Sequence, residues 1–190
     1  MGGTAIAETI FGTNNPGGKL SVTFPKSIGQ IKLNFPFKPA SQAGQSNSTD
    51  PNGFGNTMAV GALYPFGYGL IYTTFGYSNL KIDTTDLSEK KLLQVAVDIT
   101  NTGNSQGEEV VQLYFKDLVS SITVYETQLR GFERISLKAG ESKTVHFSLL
   151  DTDFELLDKN MNWVVESGKF EILIGASSED IRIKGEYYKI

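Results

Sequence analysis

Large apolar side chains recur at every second position from Leu93 to Ile99: Leu93, Val95, Val97 and Ile99 share one parity, and Gln94, Ala96, Asp98 and Thr100 the other. A pleated strand sends successive side chains to opposite faces, so this period of two predicts a half-buried strand. Asn101-Thr102-Gly103-Asn104 then turns the chain, and Val111, Leu113 and Phe115 restore the period. Further strands are predicted over 129–137, at Val145, Phe147 and Leu149 after the hairpin-type turn Lys138-Ala139-Gly140-Glu141, and over 154–157. Trp163-Val164-Val165 follows the turn Asp158-Lys159-Asn160, and Phe170, Ile172 and Ile174 follow Glu166-Ser167-Gly168-Lys169. A last strand covers 181–187.

Roughly seven or eight short strands separated by turn signals predict a mainly β fold, an antiparallel β-sandwich of fibronectin type III or immunoglobulin-like character. The N-terminal texture differs. Ile6, Ala7, Ile10 and Phe11 recur at helical spacing, with Thr4 as N-cap and Gly12 as a stop. Asn14-Asn15-Pro16-Gly17-Gly18 is turn chemistry, after which Leu20, Val22 and Phe24 alternate with polar residues until Pro25 closes the strand. One helix and one strand make no core, because an isolated helix below about 12 residues is marginal in water. Ile6, Ile10, Phe11, Leu20, Val22 and Phe24 would each gain roughly 1.5–3 kcal/mol on burial. They call for a partner surface: the sandwich, a second copy of the chain, or a domain beyond these residues. Gly, Ser, Asn, Gln and Pro dominate from Asn34 to Ala62, the composition of a linker or long surface loop. The predicted division is therefore 1–31, a helix and strand; 32–62, an extended loop; and 63–190, the sandwich.

Composition narrows the chemistry. The 190 residues carry a net charge of −4, with Lys90-Lys91 the only basic pair, which leaves no electrostatic footprint for nucleic acid. No apolar run approaches the roughly 20 residues of a membrane-spanning helix, and the start Met1–Glu8 lacks the basic region of a signal peptide. No cysteine is present, so disulfides and thiolate chemistry are excluded. His146, the one histidine, alternates with Val145 and Phe147 and is expected at the surface; alone it defines neither a metal site nor a catalytic base. Glu108-Glu109, Glu133, Glu141, Glu166 and Glu179-Asp180 read as a solvated rim rather than a calcium loop or a catalytic pair. The expectation is no catalytic residue, no metal and no cofactor.

The string Leu63-Tyr64-Pro65-Phe66-Gly67-Tyr68-Gly69-Leu70 has two physical readings. Its aromatics could offer ring faces to sugars, or plug a seam in which glycine allows close backbone approach. Trp163, opening a strand after a turn, is expected in the core.

This string, followed by Tyr72-Thr73-Thr74-Phe75, resembles the entry into the fibronectin type III-like domain of glycoside hydrolase family 3, the β-glucosidases and β-xylosidases. Gly2-Gly3-Thr4-Ala5-Ile6-Ala7, Phe11-Gly12, Asn15-Pro16-Gly17-Gly18-Lys19-Leu20 and Val22-Thr23-Phe24-Pro25 are similar to the last helix and strand of that family's α/β sandwich domain. Asn101-Thr102-Gly103, Val110-Val111-Gln112-Leu113-Tyr114, Leu129-Arg130-Gly131-Phe132, Trp163-Val164-Val165 and Gly175-Ala176-Ser177-Ser178-Glu179-Asp180-Ile181 resemble its C-terminal domain. Ile71 stands where serine is common, and Tyr125 where proline is. The resemblance implies that the nucleophilic aspartate and acid/base glutamate lie on upstream domains, so that this portion is inactive alone. It implies as partners the parent's catalytic domains and, through them, a β-glucoside or oligosaccharide. Tyr64, Phe66 and Tyr68 become candidates for interdomain packing or peripheral substrate contact. Two alternatives stand beside it: a free-standing carbohydrate-binding or protein-interaction module, and a homodimer joined through 1–31.

Overall fold

The computed structural model describes residues 2–30, 33–38, 61–87 and 90–189; of the predicted loop, 32 and 39–60 lie outside them. In chain order the elements are α1 (Gly2–Ile10), β1 (Phe24–Pro25), β2 (Ala62–Tyr64), β3 (Phe75–Leu87), β4 (Lys90–Asn101), β5 (Gly107–Asp117), β6 (Gln128–Leu137), β7 (Ser142–Leu150), β8 (Leu156–Leu157), β9 (Trp163–Val164), β10 (Gly168–Gly175) and β11 (Ile181–Lys189). The seven long strands form two antiparallel sheets, β3-β4-β7 and β11-β10-β5-β6. This is the sandwich that the alternation predicts.

The core lies between the sheets. Val95, Val97 and Ile99 of β4 and Val145 and Phe147 of β7 meet Val111, Leu113 and Phe115 of β5 and Phe170, Ile172 and Ile174 of β10. Each such side chain contributes roughly 1.5–3 kcal/mol by leaving water. Strand β5 is also buried on its outward face, at Gln112 and Tyr114. Asn101, buried at the end of β4, uses its whole amide. Its Nδ2 donates to the carbonyls of Ser105 (2.8 Å) and Leu137 (3.0 Å), and its Oδ1 accepts from Thr73 Oγ1 (2.7 Å) and the Gly103 amide (3.1 Å). A side chain satisfied on all sides holds the turn between β4 and β5 to both sheets.

Strand β3 is absent from the alternation pattern for a physical reason. Its core-facing residues are Phe75 and Tyr77, then Leu80 and Ile82, so the parity changes midway. The pairing with β4 shifts register between Ser78 and Lys81, and Asn79 there has φ 54°. An extra residue in one strand moves every later side chain to the other face. Asp98 pins this bulge, accepting from Asn79 Nδ2 (2.8 Å) and Thr144 Oγ1 (2.6 Å). These bonds, Thr144's foremost, hold its carboxyl below the usual aspartate range. A lowered folded pKa means that their contribution is complete above the ordinary aspartate value and fades as pH falls through the folded one. An NMR titration is expected to give Asp98 a midpoint below that of a peptide aspartate, moving up toward it in Thr144→Val.

Other expectations change. Helix α1 starts at Gly2, so Thr4 lies inside it rather than capping it, while Gly12 takes φ 76° just beyond the end. The predicted strand before Pro25 shrinks to Phe24–Pro25 paired with β2, because among the described residues no strand lies alongside 20–23. Asp151–Phe154 forms a 3₁₀ turn, leaving only Leu156–Leu157 as strand. Trp163 is exposed rather than in the core, since β9 pairs only with two-residue β8, outside both main sheets.

Candidate functional site

The segment 64–70 crosses the outer face of the four-stranded sheet at β5. Its turn is closed by the Tyr68 amide donating to the Pro65 carbonyl (3.1 Å), and Gly67 at the third position has φ 81°. Turns of this type require φ > 0 there, which glycine supplies at no steric cost. A Cβ on Gly67 would also collide with the Gln112 side-chain amide.

Gln112 is the pin. Its Nε2 donates to the carbonyls of Gly67 (3.2 Å) and Ala176 (2.7 Å), and its Oε1 accepts from the buried Tyr114 hydroxyl. The Ser178 amide donates to the Phe66 carbonyl (2.9 Å), so the loop is tied to the turn after β10 as well. On the other side Leu20 pairs with it, its amide on the Tyr68 carbonyl and its carbonyl accepting from Gly67, both at 2.8 Å. Three separate stretches of chain therefore fix one loop.

The turn splits the three predicted aromatics. Phe66 stacks on Phe35 (4.7 Å between centroids, 20°), which stands edge-on to Tyr114 (5.6 Å). Tyr64 and Tyr68 stack on each other (5.1 Å, 27°), with Phe24 edge-on to Tyr64 (6.2 Å). Tyr64 is exposed and Tyr68 half-buried. Beside Tyr68 a small recess of about 240 Å³ is lined by Lys19, Ser177 and Asp180 among others. Ile71, the residue in serine's place, packs against the core.

Sequence reasoning misplaced Glu109, which is buried instead of belonging to the rim. Its Oε1 lies 2.8 Å from Lys19 Nζ and also accepts from the Val110 amide (2.8 Å). The Tyr77 hydroxyl is buried nearby; burial first, then the Glu109 charge, raises its pKa. A strand-entrance acid reads as solvated when its lysine lies far upstream. Other acids of the rim form surface pairs: Glu108 with Arg134, Glu133 with Lys143, Asp180 with Arg182, and Glu166 with Ser121. His146 is exposed as expected. Among the described residues no three His, Asp or Glu side chains gather as a metal would need.

Helix α1 and the turn after it hang from this arrangement by polar bonds. Asn15 Nδ2 donates to the Gln106 carbonyl (2.8 Å), Asn15 Oδ1 accepts from the Tyr72 amide (2.8 Å), and the Tyr72 hydroxyl donates to the Thr9 carbonyl (2.8 Å). No residue of α1 is buried: Ile6 is 62% exposed and Ile10 68%, and Phe11 beyond it is 83% exposed. Val22, Phe24, Ile28, Leu63 and Leu70 are large apolar side chains that are exposed as well.

The fold thus defines a β-sandwich module carrying a pinned aromatic loop and an uncovered helix-bearing edge. Residues 1–72 match the model of the glycosyl hydrolase family 3 C-terminal domain, and 109–178 that of the fibronectin type III-like domain. A β-xylosidase of Formosa agariphila is 42% identical over 180 residues, 93% of this chain and 24% of that protein. Thermostable β-glucosidase B of Acetivibrio thermocellus is 40% identical over 185 residues, 96% of this chain and 24% of that protein. The solved β-glucosidase of Erythrobacter marinus superposes with a TM-score of 0.83 at 33% identity, over 100% of this chain and 24% of that one. The chain belongs to glycosyl hydrolase family 3, to the C-terminal part of its members, and spans about a quarter of the length of the relatives it matches.

Proposed function

We propose that this chain is the non-catalytic C-terminal portion of a β-glycosidase acting on β-glucosides or β-xylosides, and that it holds the loop 64–70 against the catalytic domains. The uncovered surface carries this reading: Ile6, Ile10 and Phe11 stand in water on and just beyond a helix that buries nothing. The chain then divides into 1–31, 32–62 and 63–190, with the first stretch completing an α/β sandwich domain supplied by the parent. Phe66 anchors the loop to the sheet, whereas Tyr64 and Tyr68 face the neighbouring domains and the rim of the substrate cleft. Both catalytic carboxylates belong to those domains; a retaining pair must stand about 5–5.5 Å apart across the scissile bond.

The test is complementation. The upstream domains of a family 3 β-xylosidase, truncated before the residues corresponding to this chain, are co-expressed with it. Wild-type chain is expected to restore aryl β-xylosidase activity, and the Ile10→Asp/Phe11→Asp chain to fail while keeping the unfolding midpoint of its sandwich. Aryl β-glycoside turnover by the purified chain alone would overturn the reading. A wild-type chain that is dimeric by light scattering, but monomeric once both substitutions are present, would instead make a second copy the occupant of this face.

A further inference from the structure

Away from the loop 64–70, a cleft of about 580 Å³ opens between the 122–125 loop, the start of β6 and the β8–β9 hairpin. Trp163 and Tyr125 line it, 68% and 39% exposed. Neither ring serves the core, and their faces are apolar surfaces of the kind that pack on the C–H faces of a pyranose. Arg130, a residue of β6, also lines it, its guanidinium 4.8 Å from the Phe115 ring centroid and its Nε buried with no acceptor among the described residues. The acid whose field it feels, Asp153, already accepts the Leu150 amide through Oδ2 (2.7 Å). Lys38 sits over the Tyr125 ring at 5.4 Å, and among the described residues no carboxylate is bridged to it. Among the described residues Glu155 is the one acid on the lining. A chain of net charge −4 thus places two cations and two exposed rings in one cleft, with Lys38 over one face of Tyr125. The Arg fork matches a carboxylate in two parallel hydrogen bonds.

We propose that this cleft binds a saccharide bearing a carboxylate, a hexuronic acid residue, with sugar rings on Trp163 and Tyr125 and the carboxylate on Arg130 and Lys38. The site stands independently of what covers the apolar face. The protein supplies its own reporter, since Trp163 is the single tryptophan of the chain. Titration of the 190-residue chain with glucuronic acid-substituted xylotriose is expected to change Trp163 emission saturably and to shield it from acrylamide. Unsubstituted xylotriose is expected to bind about tenfold more weakly, the loss of one charge-assisted pair. By calorimetry Trp163→Ala, a surface change, should abolish binding, and Arg130→Lys, which keeps the charge but not the fork, should weaken it. Equal affinity for both sugars, a flat titration to about 10 mM, or unchanged affinity in Trp163→Ala overturns the proposal. So does a Trp163 already shielded from acrylamide in the free chain, which would mean that protein covers the cleft. Should Arg130→Lys fail to fold, the Trp163→Ala and neutral-sugar arms still decide.

Discussion

Replacing Glu109 by alanine is expected to destabilise the folded chain by about 3–5 kcal/mol, the range for stripping one partner from a buried ion pair. Lys19 and Glu109 are bridged at 2.8 Å with side chains only 14% and 5% exposed. Without the carboxylate, the ammonium would be stranded in a site that excludes most water, and the Val110 amide would lose its acceptor. Lys19 would then have to swing out toward water, dragging Leu20 from its pairing with Gly67 and Tyr68. Removing both charges together avoids that outcome. Lys19→Met with Glu109→Leu should fall within about 1 kcal/mol of wild type or exceed it, because desolvation of the pair is also removed. Urea melts of wild type, Lys19→Met, Glu109→Leu and the double variant close the cycle; a double variant as unstable as the sum of those two singles would refute the ionic account.

Gln112→Leu should be comparably damaging, at about 3–5 kcal/mol, although it replaces one medium-sized side chain with another. The substitution leaves the Gly67 and Ala176 carbonyls and the Tyr114 hydroxyl without their amide partner. A buried polar group so stranded costs about 1–3 kcal/mol. At roughly 2–4 °C per kcal/mol for a chain of this size, the midpoint should fall by about 10 °C. Hydrogen exchange distinguishes this from a general core defect. The amides of Gly67 and Ser178, both bonded across the seam, should lose protection before those of β4. Uniform loss across the sandwich would contradict the pin.

The sandwich was legible wherever one parity held from turn to turn, as in β4, β5, β7 and β10. β3 was hidden because Asn79 resets the parity in mid-strand, so that Tyr77 and Leu80 share a face at a spacing no simple alternation shows. Trp163 looked like core because an aromatic opening a strand usually is; its strand, however, belongs to a two-residue ribbon. The aromatic loop announced itself by its glycines, and its three rings were candidates from the start. What holds it was not readable. Gln112 reads as the outward position of a half-exposed strand until one knows that residues 66–69 lie over it, and Glu109 reads as solvated until Lys19 arrives from the far end of the chain. Local pattern shows which side of a strand a residue takes. It does not show what settles on that side.

Gln112 suspends the loop from an inner strand whose opposite face is packed hydrocarbon, Val111 and Leu113 against the other sheet. The stiffness of Tyr64 and Tyr68 is therefore borrowed from that layer. A methyl group trimmed from Val111 or Ile174 would loosen both tyrosines without touching either ring. The heat tolerance of whatever surface they help to shape would then be set in the dry interior of a neighbouring module.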